Sequence, residues 1–211
     1  MGCIAIGDPG AVLDIAALSA AEVSLALVGH PTRGQVAVTI VDLAERGALR
    51  VEAFANDHKV DWRISRTGDL PTPRPFEAVI LETVRDEPLT LDGPVDRLSD
   101  LLDRFRDSLP RIESLDAEQV RAAARARRSE LRHLCSSGAT PAKNVVPLAL
   151  AFGLLSQTDL PEAQFIAAFS AATAEMPGWN ALPARRTDEV PTSENPWGGL
   201  PPGAETLWAG L

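Results

Sequence analysis

Tyrosine is absent from this 211-residue chain, and only six phenylalanines and four tryptophans are present. So few rings disfavour the stacking platforms that hold single-stranded nucleic acid. Cysteine is scarcer still: Cys3 and Cys135 lie far apart, form no CxxC pair, and follow no signal-peptide pattern. That usage points to a reducing, cytoplasmic compartment. The longest apolar run, residues 145 to 155, is interrupted by Pro147 and falls short of the roughly 20 residues a membrane span needs. No membrane association is expected. Cations are in the minority, with a formal net charge of -9, which disfavours nonspecific attraction to phosphate backbones and anionic lipid. Walker loops, GxGxxG, GxSxG and HExxH are all missing, and His30, His58 and His133 sit in unrelated segments. Neither a cofactor nor a metal is therefore expected.

What is present is a sequence of helix and strand signals. Ser19-Ala20-Ala21-Glu22 has capping-box spacing and predicts a helix from Ala20 to about Val28. Gly29 to Thr32 breaks it, and Val36, Ile40 and Leu43 then recur at helical spacing until Gly47. Leu49, Val51 and Ala53 alternate with polar neighbours, as do Val60, Trp62 and Ile64 after a turn at residues 55 to 59. Helix, break, helix and hairpin form the order of a winged-helix unit, which closes at the proline-rich residues 69 to 75.

Beyond that linker, Pro75 opens a helix bearing Phe76, Val79, Ile80 and Val84. A short strand at residues 88 to 91 and two further amphipathic helices follow, reaching about Leu134. Helix, strand, helix, helix reads as a second, wingless copy. A buried helix is expected over residues 145 to 155, and another from Glu162 to about Glu175. The expected organisation is α+β and mainly helical: a winged-helix-like unit over residues 1 to 70, a wingless unit over 74 to 140, C-terminal helices over 141 to 182, and a Pro/Gly/Trp tail over 183 to 211. Trp197 and Trp208 are costly to leave in water, so the tail is expected to fold back and anchor by those rings.

Three groups of residues carry functional expectations. With Val36, Ile40 and Leu43 facing the core, the second helix exposes Gln35, Thr39, Asp42, Glu45 and Arg46. A DNA-binding regulator would use Arg33, Gln35, Thr39, Arg50 and Lys59. Over residues 20 to 66, however, Arg33, Arg46, Arg50, Lys59, Arg63 and Arg66 are balanced one for one by Glu22, Asp42, Glu45, Glu52, Asp57 and Asp61. The unit is neutral, and its helix carries carboxylates where phosphates would lie. The second group is Arg121, Arg125, Arg128 and Arg132, spaced to share one helical face. They can pair with the protein's own Asp100, Asp103 and Asp107, bind an acidic protein or peptide partner with Trp197 and Trp208, or meet nucleic acid. The third is Cys135, which follows a basic helix and is either a reactive thiol of lowered pKa or a buried small residue.

TIVDLAERGALRV, DWRIS, RPFEAVILETV, VVPLALAFGL and MPGWN together resemble the cytosolic C-terminal region of the YciQ-like bacterial membrane proteins. The resemblance covers about residues 18 to 180. Its most specific points are Asp42-Leu43-Ala44 through Gly47 and Pro75-Phe76-Glu77. It implies winged-helix-like units and no particular activity. The chain departs in lacking a span, in having Pro147-Leu148 where the family tends to Pro-Tyr, and in its own tail. The favoured expectation is a soluble, non-catalytic winged-helix protein that binds a protein or peptide. A transcriptional regulator and an enzyme or accessory of specialised metabolism, with a site between the helical units, are the alternatives. Formation of a homodimer stays open.

Overall fold

The computed structural model describes residues 18–56, 59–110, 117–136, 146–152 and 160–176. Among them it is α+β and mostly helical, with seven helices and one three-stranded antiparallel sheet. Helix α1, Ala20–Val28, starts on the capping box: the Glu22 N–H donates to Ser19 Oγ at 3.1 Å and the Ser19 N–H to Glu22 Oε2 at 2.8 Å. It stops at Gly29, whose φ of 86° suits a residue without a Cβ. Helix α2, Arg33–Glu45, follows after the short break.

Strands β1, Leu49–Asn56, and β2, Lys59–Arg66, form a hairpin in which Val51 faces Ile64 and Ala53 faces Trp62. Helix α3, Pro75–Thr83, has Pro75 in its first turn, where a missing N–H is harmless. The two-residue strand β3, Leu89–Thr90, then adds to the free side of β2, giving the order β1-β2-β3. Buried Asp61 ties this turn to the sheet, since its Oδ1 accepts from the N–H groups of Trp62 at 2.7 Å and Asp92 at 3.2 Å. Four helices complete the described chain: α4, Val95–Ser108; α5, Ala117–Ser136; α6, Val146–Ala151; and α7, Pro161–Thr173. None of these helices is long and apolar enough to cross a membrane.

One expectation is corrected in α2. The helix does not present a solvent face at Gln35 and Thr39, which are 0% and 2% exposed. Helices α1, α6 and α7 pack around it, with α3 and α4 touching it as well. Gln35 and Thr39 survive burial because both bond locally. Gln35 Oε1 accepts from the Thr32 N–H at 2.9 Å, Gln35 Nε2 donates to the His30 carbonyl at 3.2 Å, and Thr39 Oγ donates to the Gln35 carbonyl at 2.7 Å.

The core around α2 is continuous across the expected linker at residues 69 to 75 and the boundary at residue 141. It joins Ile40 and Leu43 to Phe76 and Phe105 and on to Phe165, Phe169 and Met176. Two edge-to-face ring pairs stitch it together: Phe76 on Phe105 at 5.6 Å, and Trp62 on Phe165 at 5.5 Å. The second pair joins the hairpin to α7. The N-terminal arm up to residue 17 and the tail from residue 177 lie outside the described residues, and with them the anchoring proposed for Trp197 and Trp208.

Candidate binding surfaces

Helix α5 owes its orientation to a narrow apolar stripe. Ala124 and Leu131 are buried with Val23 of α1 and with Phe152, and Val120 is buried on the same stripe. This seats α5 on α1 and leaves Arg121, Arg125 and Arg132 exposed. Arg121 is anchored: its Nε donates at 2.9 Å to the carbonyl of Ala26, in the last turn of α1. A helix leaves its last carbonyls without internal donors and carries partial negative charge there, so a guanidinium suits the place. Arg125 makes no hydrogen bond or ion pair among the described residues. Arg128 is half-buried, and burial first, then the charge of Arg132, lowers its pKa from the usual arginine value.

The aspartates that could have neutralised this stripe are engaged on their own helix. Asp100 lies 3.5 Å from Arg104, while Asp103 and Asp107 lie 2.9 and 3.5 Å from Arg106. The thiol of Cys135, in the last turn of α5, lies outside the described side chains.

The residues grouped for DNA reading are not brought together. Arg33 is 1% exposed and points inward, where its Nη2 donates to the Met176 carbonyl just beyond α7 at 3.3 Å. Its burial lowers its pKa. Gln35 and Thr39 are inside, Arg50 is on the hairpin surface 2.6 Å from Glu52, and Lys59 begins β2. Among the described residues no cluster of His, Cys, Asp and Glu stands ready to hold a metal ion.

Two arrangements were missed by sequence reasoning. The first is an ion network at the meeting of α1, α2 and α3. Arg46 Nη1 donates to Asp42 at 3.1 Å and to Glu77 at 2.7 Å, the N–H of Arg74 donates to Glu77 at 2.8 Å, and the Arg74 guanidinium reaches Glu22 at 2.8 Å. Spacing of Asp42 and Arg46 by four residues was the available signal for its first link. The second is a cavity of about 260 Å³ where the end of α2, the hairpin and the start of α7 meet. Trp62, Phe165 and Leu49 line it with Glu45, Arg50 and Glu162. No local pattern announces it, because its walls come from segments over a hundred residues apart.

In comparisons with known proteins, no family model, no curated protein and no solved structure matches the chain.

Proposed function

We propose that this chain is a soluble, non-catalytic protein of winged-helix type that captures an acidic protein or peptide segment on α5, in keeping with its resemblance to the YciQ-like cytosolic region. The observation that carries the reading is the arginine stripe itself. Arg125 and Arg132 lie exposed beside Arg121, while Asp100, Asp103 and Asp107 are drawn to Arg104 and Arg106. Guanidinium groups match carboxylates in a planar, two-bond geometry. An acidic segment is thus the complementary ligand for a cationic helix edge.

The winged-helix reading is supported by the order α1, α2, hairpin, and by the way β3, set between α3 and α4, pairs with the hairpin's β2. The alternative of reading DNA through α2 has little in its favour, since Gln35, Thr39 and Arg33 lie in the core.

Fluorescence anisotropy with a labelled oligoglutamate peptide tests the proposal. Reversing Arg121, Arg125 and Arg132 to glutamate should weaken capture roughly 50-fold or more, each exposed pair being worth up to ~1 kcal/mol. Far-UV circular dichroism should be unchanged. Equal capture by the triple variant overturns α5 as the site.

A further inference from the structure

The cavity between α2, the hairpin and α7 differs from the α5 stripe in shape and in charge. At about 260 Å³ it falls just below the ~300 to 1,000 Å³ typical of small-molecule pockets, so it suits one long side chain better than a cofactor. Its aromatic wall is Trp62 edge-on to Phe165. Its carboxylates, Glu45 and Glu162, outnumber its single cation, Arg50, which is itself drawn to Glu52 at 2.6 Å. Glu162 is half-buried and makes no ion pair among the described residues. An apolar wall beside carboxylates receives a methylene stem tipped by a cation.

A second feature adjoins it. Leu49, Arg50 and Val51 all line the cavity, yet successive strand residues point to opposite faces. A hollow that touches three in a row meets the strand along its edge. Since the sheet order is β1-β2-β3, β1 has one strand neighbour among the described residues and its other side is unpaired. Such an edge offers backbone donors and acceptors to an added strand, with side-chain pockets alongside it setting the specificity.

From the coincidence of an open edge with an acidic, aromatic-walled cavity, we propose that β1 binds an extended peptide carrying a lysine or arginine. The peptide backbone pairs along β1, the stem of the basic residue lies against Trp62 and Phe165, and its head sits between Glu45 and Glu162. This site is separate from α5 and prefers the opposite charge.

The test uses the full chain and a fluorescein-labelled, end-blocked pentapeptide, Thr-Val-Lys-Val-Thr, followed by anisotropy at low salt. Three peptide changes leave the protein intact: glutamate in place of lysine, norleucine in place of lysine, and N-methylation of the two valines. Each should bind at least roughly 5-fold more weakly, about the worth of one exposed ion pair or one lost pair of hydrogen bonds. Glu162→Gln and Glu45→Gln should each lower affinity for the lysine peptide and leave the norleucine peptide unaffected. The triple glutamate variant of α5 should bind the lysine peptide as the parent does, which separates this proposal from the preceding one. Equal affinity for the lysine and glutamate peptides overturns the cation site, and full affinity of the N-methylated peptide overturns strand addition. Competition by free butylamine to completion identifies a free-amine pocket and likewise overturns the peptide reading. Sedimentation equilibrium adds a last arm: a dimer that the lysine peptide fails to dissociate assigns the edge to a second copy of the chain.

Discussion

Arg46 ties the end of α2 to α3. Burial works against its charge, but the hydrogen bonds to Glu77 and Asp42 together with the negative charges of those carboxylates outweigh that effect and raise its pKa. Glu77 has only 1% of its side chain exposed, against 39% for Arg46, so removing the arginine strands a carboxylate in the interior. Arg46→Ala should cost about 2 kcal/mol, less than the ~3 to 5 of a fully buried pair because solvent screens the exposed partner. Urea unfolding checks this, and a loss below about 0.5 kcal/mol would show the pair to be a surface one. Asp42 adds a pH signature. Burial raises its pKa above the ordinary 3.8, more than the Arg46 hydrogen bond lowers it. The folded state therefore holds the Asp42 proton more tightly than the unfolded chain does. Its contribution to stability is present below the ordinary carboxylate value and is lost as pH rises through the raised folded value. Asp42→Asn should accordingly gain stability relative to the parent between about pH 3 and pH 7, with the difference read from paired urea midpoints.

Among the elements, those with local signals were legible. Ser19 and Glu22 announced α1, Pro75 announced α3, and the alternation at Leu49-Val51 and Trp62-Ile64 gave a hairpin. Gly47 is the clearest stop. Its φ of 75° lies in the left-handed region and an added Cβ would meet nothing within 4 Å, so Gly47→Ala tests backbone strain alone. A loss of about 1 kcal/mol in a thermal or urea melt is expected, and a neutral result would mean that the turn relaxes to another conformation. Helix α2 was found but its environment was not. Val36, Ile40 and Leu43 do mark a core face, yet from Gly34 to Val41 no residue carries a charge. With alanine, valine and glycine on its other sides, the helix can be covered all round, and Gln35 and Thr39 are neutral enough to be satisfied by neighbouring backbone. Periodicity identifies the face buried first; it is silent on whether a later helix covers the rest.

At the scale of the whole molecule, that later cover decides the architecture. Segmentation at the proline-rich linker and at residue 141 follows the chain, whereas the packing crosses both: Trp62 meets Phe165, and Arg33 reaches the carbonyl of Met176. Contacts between distant segments depend on three-dimensional complementarity that no window of sequence contains, which is also why the cavity at Trp62 was invisible while the α5 arginines were plain. A core shared in this way has a thermodynamic consequence. Units that bury one another cannot lose a part without exposing the remainder, so the described body should unfold as one cooperative transition, with calorimetric and van't Hoff enthalpies in agreement. Ile40 is the probe, being fully buried in α2 at the centre of the shared core. Ile40→Ala should destabilise by about 3 kcal/mol, within the ~2 to 5 typical of such truncations. It should move the whole transition to lower denaturant with its slope unchanged. Two resolved transitions would instead mean that α6 and α7 rest on an independently stable N-terminal unit, as segmentation by sequence implies.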